Sequence, residues 1–112
     1  MRATFHLVPA DIWAAADPDA PYEAASLALD GFIHCTDGVE DLGVTFDRYY
    51  AADARGFLAL TVDLDALDVP WRYDVTGSPY PHIYGAISPA AITRVDRVER
   101  GPNGRFMGLS SP

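Results

Sequence analysis

Six consecutive residues, Phe57-Leu58-Ala59-Leu60-Thr61-Val62, constrain the fold of this chain more than any other stretch. Apolar side chains occupy both alternating faces of the run, so a strand made from it must be covered on both sides and belongs near the centre of a sheet. A first strand is predicted over residues 4–8, with Phe5 and Leu7 on one face and Thr4, His6 and Val8 on the other. Further strands are expected over residues 32–36, 71–75, 80–85 and 92–99 and around Phe106. Pro81 has no N–H to donate, which places the 80–85 strand at an edge or a boundary.

Helical signals lie between these strands. Pro9-Ala10-Asp11 opens a short helix over residues 11–16 that ends before Pro18. Residues 17–25 read as an irregular loop, and Ser26-Leu27 begins a helical turn that Gly31 stops. Asp37 is positioned to cap a helix running to about Ala52, because Val39, Leu42, Phe46, Tyr49 and Tyr50 form an apolar stripe at helical spacing. Single helical turns fit residues 63–68 and 88–91, and Gly77-Ser78-Pro79 and Gly101-Pro102-Asn103-Gly104 read as turns. The sum is an α+β fold over residues 1–112 as one domain, with a strongly curved, mostly antiparallel sheet and two main helices.

Charge narrows the partners. The formal net charge is −8, and it is uneven: residues 1–91 hold four Arg against fourteen acids, which is −10, while residues 92–112 hold four Arg against two acids, which is +2. An acidic body repels a phosphate backbone, so extended nucleic acid is not an expected partner. A few aimed arginines still suffice for one small anionic ligand. No lysine is present, which removes Schiff-base and P-loop lysine chemistry. One cysteine makes no internal disulfide and fits a reducing cytoplasm, and the broken apolar character of the first residues predicts neither a signal peptide nor a membrane span.

The three histidines all fall in strand-like apolar settings: Phe5-His6-Leu7, Ile33-His34-Cys35 and Pro81-His82-Ile83. This pattern predicts that the imidazoles of His6, His34 and His82 face one common cleft, although a core histidine satisfied by backbone is the competing reading for each. Alternation puts Tyr80, His82 and Tyr84 on one face of their strand, with Gly85 following where a ligand or another backbone can approach closely. Thr36 shares the face of His34, whereas Cys35 points the other way and reads as a buried small hydrophobe. No two histidines have the tight spacing of a metal-ligand pair, so a metal is not expected, and a three-histidine hydrolase stays a minor alternative.

Gly31-Phe32-Ile33-His34-Cys35-Thr36 and Tyr80-Pro81-His82-Ile83-Tyr84-Gly85 occur in an order, with Phe5-His6-Leu7, Asp11-Ile12-Trp13, Arg72-Tyr73-Asp74 and Gly104-Arg105-Phe106, that resembles the bacterial family called domain of unknown function 952. That family is similar in fold to the ADP-ribosyltransferases, whose split, curved sheets grip NAD. The resemblance implies that His6 hydrogen-bonds the ribose of NAD. It implies also that His34 and Thr36 match the G-x-x-H-x-[ST] segment of tRNA 2′-phosphotransferases. Asp74 stands where family members often carry Glu, and of Glu23, Glu40 and Glu99 only Glu99 is placed on a strand for a transferase glutamate. The expected function is therefore binding of NAD or a related ribonucleotide, with transferase or glycohydrolase action as the enzymatic form. His34, His6 and His82 would act, and His6, Thr36, Arg72, Tyr80, Tyr84 and Gly85 would hold the ligand, with Arg94 and Arg105 as other phosphate candidates. A non-catalytic binding or sensing module with the same pocket is the alternative.

Overall fold

The run of residues 57–62 is covered on both sides. In the computed structural model, which describes residues 1–112, it lies inside a four-stranded sheet, with Phe57, Ala59, Leu60 and Val62 essentially inaccessible to solvent. In chain order the elements are β1 (Ala3–Pro9), α1 (Ala10–Ala15), α2 (Ala25–Asp30), β2 (Ile33–His34), α3 (Val39–Tyr49), β3 (Phe57–Asp63), β4 (Trp71–Arg72), β5 (His82–Ile83), β6 (Ile92–Arg100) and β7 (Phe106–Ser110). Single 3-10 turns occupy Leu64–Ala66 and Pro89–Ala91. The larger sheet has the order β1-β3-β6-β7 and the smaller one β2-β5-β4, with every pairing antiparallel. The architecture is α+β.

Side-chain alternation along β3 divides the core in two. Leu60 and Val62 enter a larger cluster with Val8, Ile33, Ile83 and Ile87, which fills the space between the two sheets. Phe57 and Ala59 point the other way, into a cluster with Leu42 and Phe46 of α3 and Val98 of β6. The helical stripe predicted from sequence accounts for this second cluster. Burying Phe46 completely contributes on the order of 2–3 kcal/mol. On β1 the same alternation buries Thr4, His6 and Val8 on the larger-core side, as the sequence pattern predicts.

Three expectations need correction. The helix read as starting after Asp37 starts at Val39 from Gly38, whose φ of 80° no side-chain-bearing residue adopts easily, and it stops at Tyr49. Three α-helices form rather than two, because Gly31 at φ 86° lets the α2 turn terminate with its N–H bonded to the Leu27 carbonyl. The strand near Pro81 is central in the small sheet rather than at an edge. The ladder begins one residue later, at His82, and Pro81 contributes only its carbonyl, which accepts from the Cys35 N–H at 3.2 Å. A missing N–H costs nothing there.

Candidate functional site

The small sheet separates two polar arrangements. Ile33 and Ile83 pair directly across β2 and β5 and face the core, so their neighbours His34 and His82, also directly paired, face outward. Arg72 of β4 pairs with His82 on its other side, giving a row of His34, His82 and Arg72 across three strands. The imidazole centres of His34 and His82 are 5.7 Å apart, and Phe32 stacks on His82 at 3.9 Å with an interplanar angle of 13°. Carboxylates hold both rings: His34 Nε2–H donates to Asp30 at 3.0 Å and His82 Nδ1–H to Asp74 at 2.6 Å.

Asp74 also accepts from the Tyr84 hydroxyl and from Arg72 Nε at 2.7 Å. The Tyr84, Arg72 and His82 donors together hold its carboxyl well below the usual carboxylate range. The Arg72 guanidinium lies 4.1 Å from the Tyr84 ring centre. Tyr80 does not join this cluster, and its N–H bonds to Ser78 Oγ at 3.3 Å.

His6 lies on the opposite side of β2. Its Nδ1–H donates to the His34 carbonyl at 2.8 Å, which fixes the tautomer, so Nε2 accepts from the Tyr22 hydroxyl at 2.9 Å. Both ring nitrogens are therefore occupied. Burial pulls the His6 pKa down from 6.5 to about 4, and burial likewise pushes the Tyr22 hydroxyl and the Cys35 thiol up. The expectation of three imidazoles around one hollow holds pairwise: His6 and His34 line one groove beside β1, and His34 meets His82 on the outer face, whereas His6, with both nitrogens taken, does not meet His82. Gly85 is also reassigned, because a Cβ there would come within 2.6 Å of Val69 Cγ1; the close approach is internal packing.

His6 and Tyr22 form the floor of a groove of about 560 Å³ beside β1, lined also by Thr36, Thr45, Tyr49 and Arg55. It exists because β1 is an edge strand. Phe5 exchanges two hydrogen bonds with Thr36, at 2.9 and 2.8 Å, and no strand continues that pairing. Leu7 has the same phase as Phe5, so its N–H and C=O point away from β3 toward the groove, without a backbone partner. Thr36 Oγ1 is held against Thr45 Oγ1 at 3.3 Å, and Ser26 Oγ on the groove wall is buried and unpartnered. Arg55 closes one end. Its Nε and Nη2 grip Asp53, whose carboxyl is lowered to about 2 by the Arg55 side chain, and Nη1 stays free.

Arg55, Tyr22, Phe32 and the Leu7 backbone escaped the sequence reading. Tyr22 and Arg55 sit in loops without periodicity, and Leu7 acts through groups that carry no side-chain signal. Asp30 was legible in principle, four residues before His34. Arg94 Nε donates to Asp96 at 2.8–2.9 Å, and Glu99 of β6 accepts from Ser110 of β7; neither Arg94 nor Glu99 lines the groove. No group of three or more His, Cys, Asp or Glu is arranged to hold a metal ion, and no helix is long and apolar enough to cross a membrane.

A profile of the family described as protein of unknown function, DUF952, matches residues 7–95. No curated protein matches. The chain is similar to the crystal structure of protein CC0527 from Caulobacter crescentus, with a TM-score of 0.74 at 22% identity over 94% of this chain and 93% of that one. The solution NMR structure of CC0527 gives 0.71 at 24% identity, over 94% and 91%. At this identity the likeness carries the fold alone.

Proposed function

We propose, from the premise that the chain belongs to the DUF952 family, that it binds a small anionic ribonucleotide of the NAD class in the groove beside β1. The supporting observation is the composition of that groove. The chain carries sixteen acids, yet neither Asp nor Glu lines the groove, and its one permanently charged lining residue is Arg55. A site free of carboxylates in so acidic a protein favours an anion, which the free Nη1 of Arg55 would meet. The outward Leu7 N–H and C=O offer the paired donor and acceptor that a planar carboxamide matches. Tyr49 and Tyr50 supply aromatic surface, and Thr36 and Thr45 bring hydroxyls to the lining.

This reading takes the two facing antiparallel sheets as ADP-ribosyltransferase-like, with the groove at their open edge. His6 then acts through Tyr22, holding its hydroxyl in place rather than touching a ribose. The absence of a lining carboxylate favours a binding or sensing module over a transferase, because cleavage of an N-glycosidic bond needs an anionic group beside the developing oxocarbenium ion. Isothermal titration with NAD, ADP-ribose and adenosine tests the reading. Binding of the two phosphorylated ligands, with adenosine far weaker, is expected, and NAD should be recovered intact. No heat with NAD or ADP-ribose contradicts it, and equal affinity for adenosine removes the role of Arg55.

A further inference from the structure

We propose that the outer face of the small sheet is a second site, an acid–base centre that transesterifies a short ribophosphodiester. It shares only His34 with the lining of the groove, since Arg72, Asp74, His82 and Tyr84 lie outside it, and it does not rest on the reading above. Asp74 gathers Arg72, His82 and Tyr84 onto one carboxylate at the exposed face of the small sheet. The consequence for His82 is definite. With Nδ1–H donated to Asp74, the lone pair of the neutral ring sits on Nε2, at the opposite side of the imidazole and without a partner. Stacking by Phe32 fixes the ring plane.

His34 is arranged in the reverse sense. Asp30 takes its Nε2–H, which leaves Nδ1 as the nitrogen available to a ligand. Its side chain is 57% exposed and that of His82 18% exposed, so both are reachable from solvent. The rings stand in edge contact, centres 5.7 Å apart and planes at 73°, so one tetrahedral group that engages both rests against their solvent side. Arg72 stands next in the row, and both its Nη atoms lack partners, so a phosphoryl oxygen has a guanidinium to meet.

No Ser, Thr or Cys side chain hydrogen-bonds His34, His82, Arg72 or Asp74, and the attacking oxygen comes from the substrate. In the step the site supports, His82 Nε2 takes the proton of a ribose 2′-hydroxyl as its oxygen forms a bond to phosphorus. The P–O5′ bond breaks, and the imidazolium of His34, paired with Asp30, gives its Nδ1 proton to the departing oxygen. Products are a 2′,3′-cyclic phosphate and a free 5′-hydroxyl, and two proton exchanges with water restore the histidines. Nothing is oxidised or reduced. The net charge of −8 limits the substrate to short ligands.

The test incubates the purified chain with uridylyl-(3′,5′)-adenosine and with its 2′-deoxyuridine counterpart, products being separated by liquid chromatography. Cyclic phosphate from the ribo substrate alone is expected. His82→Ala and His34→Ala should each reduce its rate about 100-fold or more, with far-UV circular dichroism unchanged. Should His82→Ala unfold, His82→Gln serves in its place, keeping the volume and removing the base. No cyclic phosphate, equal cleavage of the deoxy substrate, or parental rates in both histidine variants would overturn the proposal.

Discussion

His6 and His82 occupy similar sequence settings and opposite physical ones. Each lies on a strand between apolar neighbours, yet His6 is sealed by a carbonyl and a tyrosine hydroxyl, whereas His82 is held by an exposed carboxylate with one nitrogen free. The partner decides the difference. A carbonyl and a hydroxyl satisfy a neutral ring completely, and burial then removes its capacity to take a proton near neutrality. A carboxylate satisfies one side only, and leaves the other available for chemistry. A histidine in an apolar strand is thus evidence for order, and its partner says whether that order serves the core or a ligand.

The comparison breaks most readily at His6. His6→Ala opens a cavity and strands the Tyr22 hydroxyl and the His34 carbonyl, so a loss of about 3–5 kcal/mol is expected in urea unfolding. A cost under 1 kcal/mol would mean that His6 is no more structural than the outer pair.

The second effect is on pH. The folded pKa of about 4 lies below the ordinary 6.5, so between these values the unfolded chain binds more protons and stability falls as pH drops. Stability from this group is complete above pH 6.5 and lost by pH 4, a change of roughly 3 kcal/mol by 1.36 kcal/mol per unit. Urea midpoints across that window, compared between parent and His6→Gln, check it: the limb should flatten in the variant.

Smaller effects sharpen the contrast. Arg55→Ala should weaken NAD binding about tenfold, as loss of one exposed charge-assisted hydrogen bond would, while adenosine binding measured by the same titration stays unchanged. His34→Ala should alter stability by less than about 0.5 kcal/mol, since that side chain is mostly in solvent. A penalty near that of His6→Ala would show both rings to be core residues.

What the sequence disclosed and what it hid follow from range. The double-sided burial of residues 57–62, the inward Thr4, His6 and Val8, and the stripe of α3 are period effects that local pattern carries. Alternation likewise placed His82 and Tyr84 together away from the core, though Tyr80 falls outside the short strand. It could not say which sheet surface His6 shares with His34, because that depends on β2 being the edge of a separate small sheet, next to β1 through the Phe5–Thr36 bridge. Nor could it find the groove, which comes from an edge strand left unpaired after Phe5 and from loop residues 22 and 55. The small-sheet strands shrank to two residues each for the same reason: their pairing is tertiary, and no propensity within 71–75 or 80–85 sets its length.

Backbone amide shifts followed by NMR during an NAD titration test the placement of the ligand most directly. The account predicts saturable shifts at Leu7, Thr36, Tyr50 and Arg55, with the amides of Arg72, Asp74, His82 and Tyr84 unmoved. Shifts confined to the second set, or no saturable shift anywhere, would contradict it.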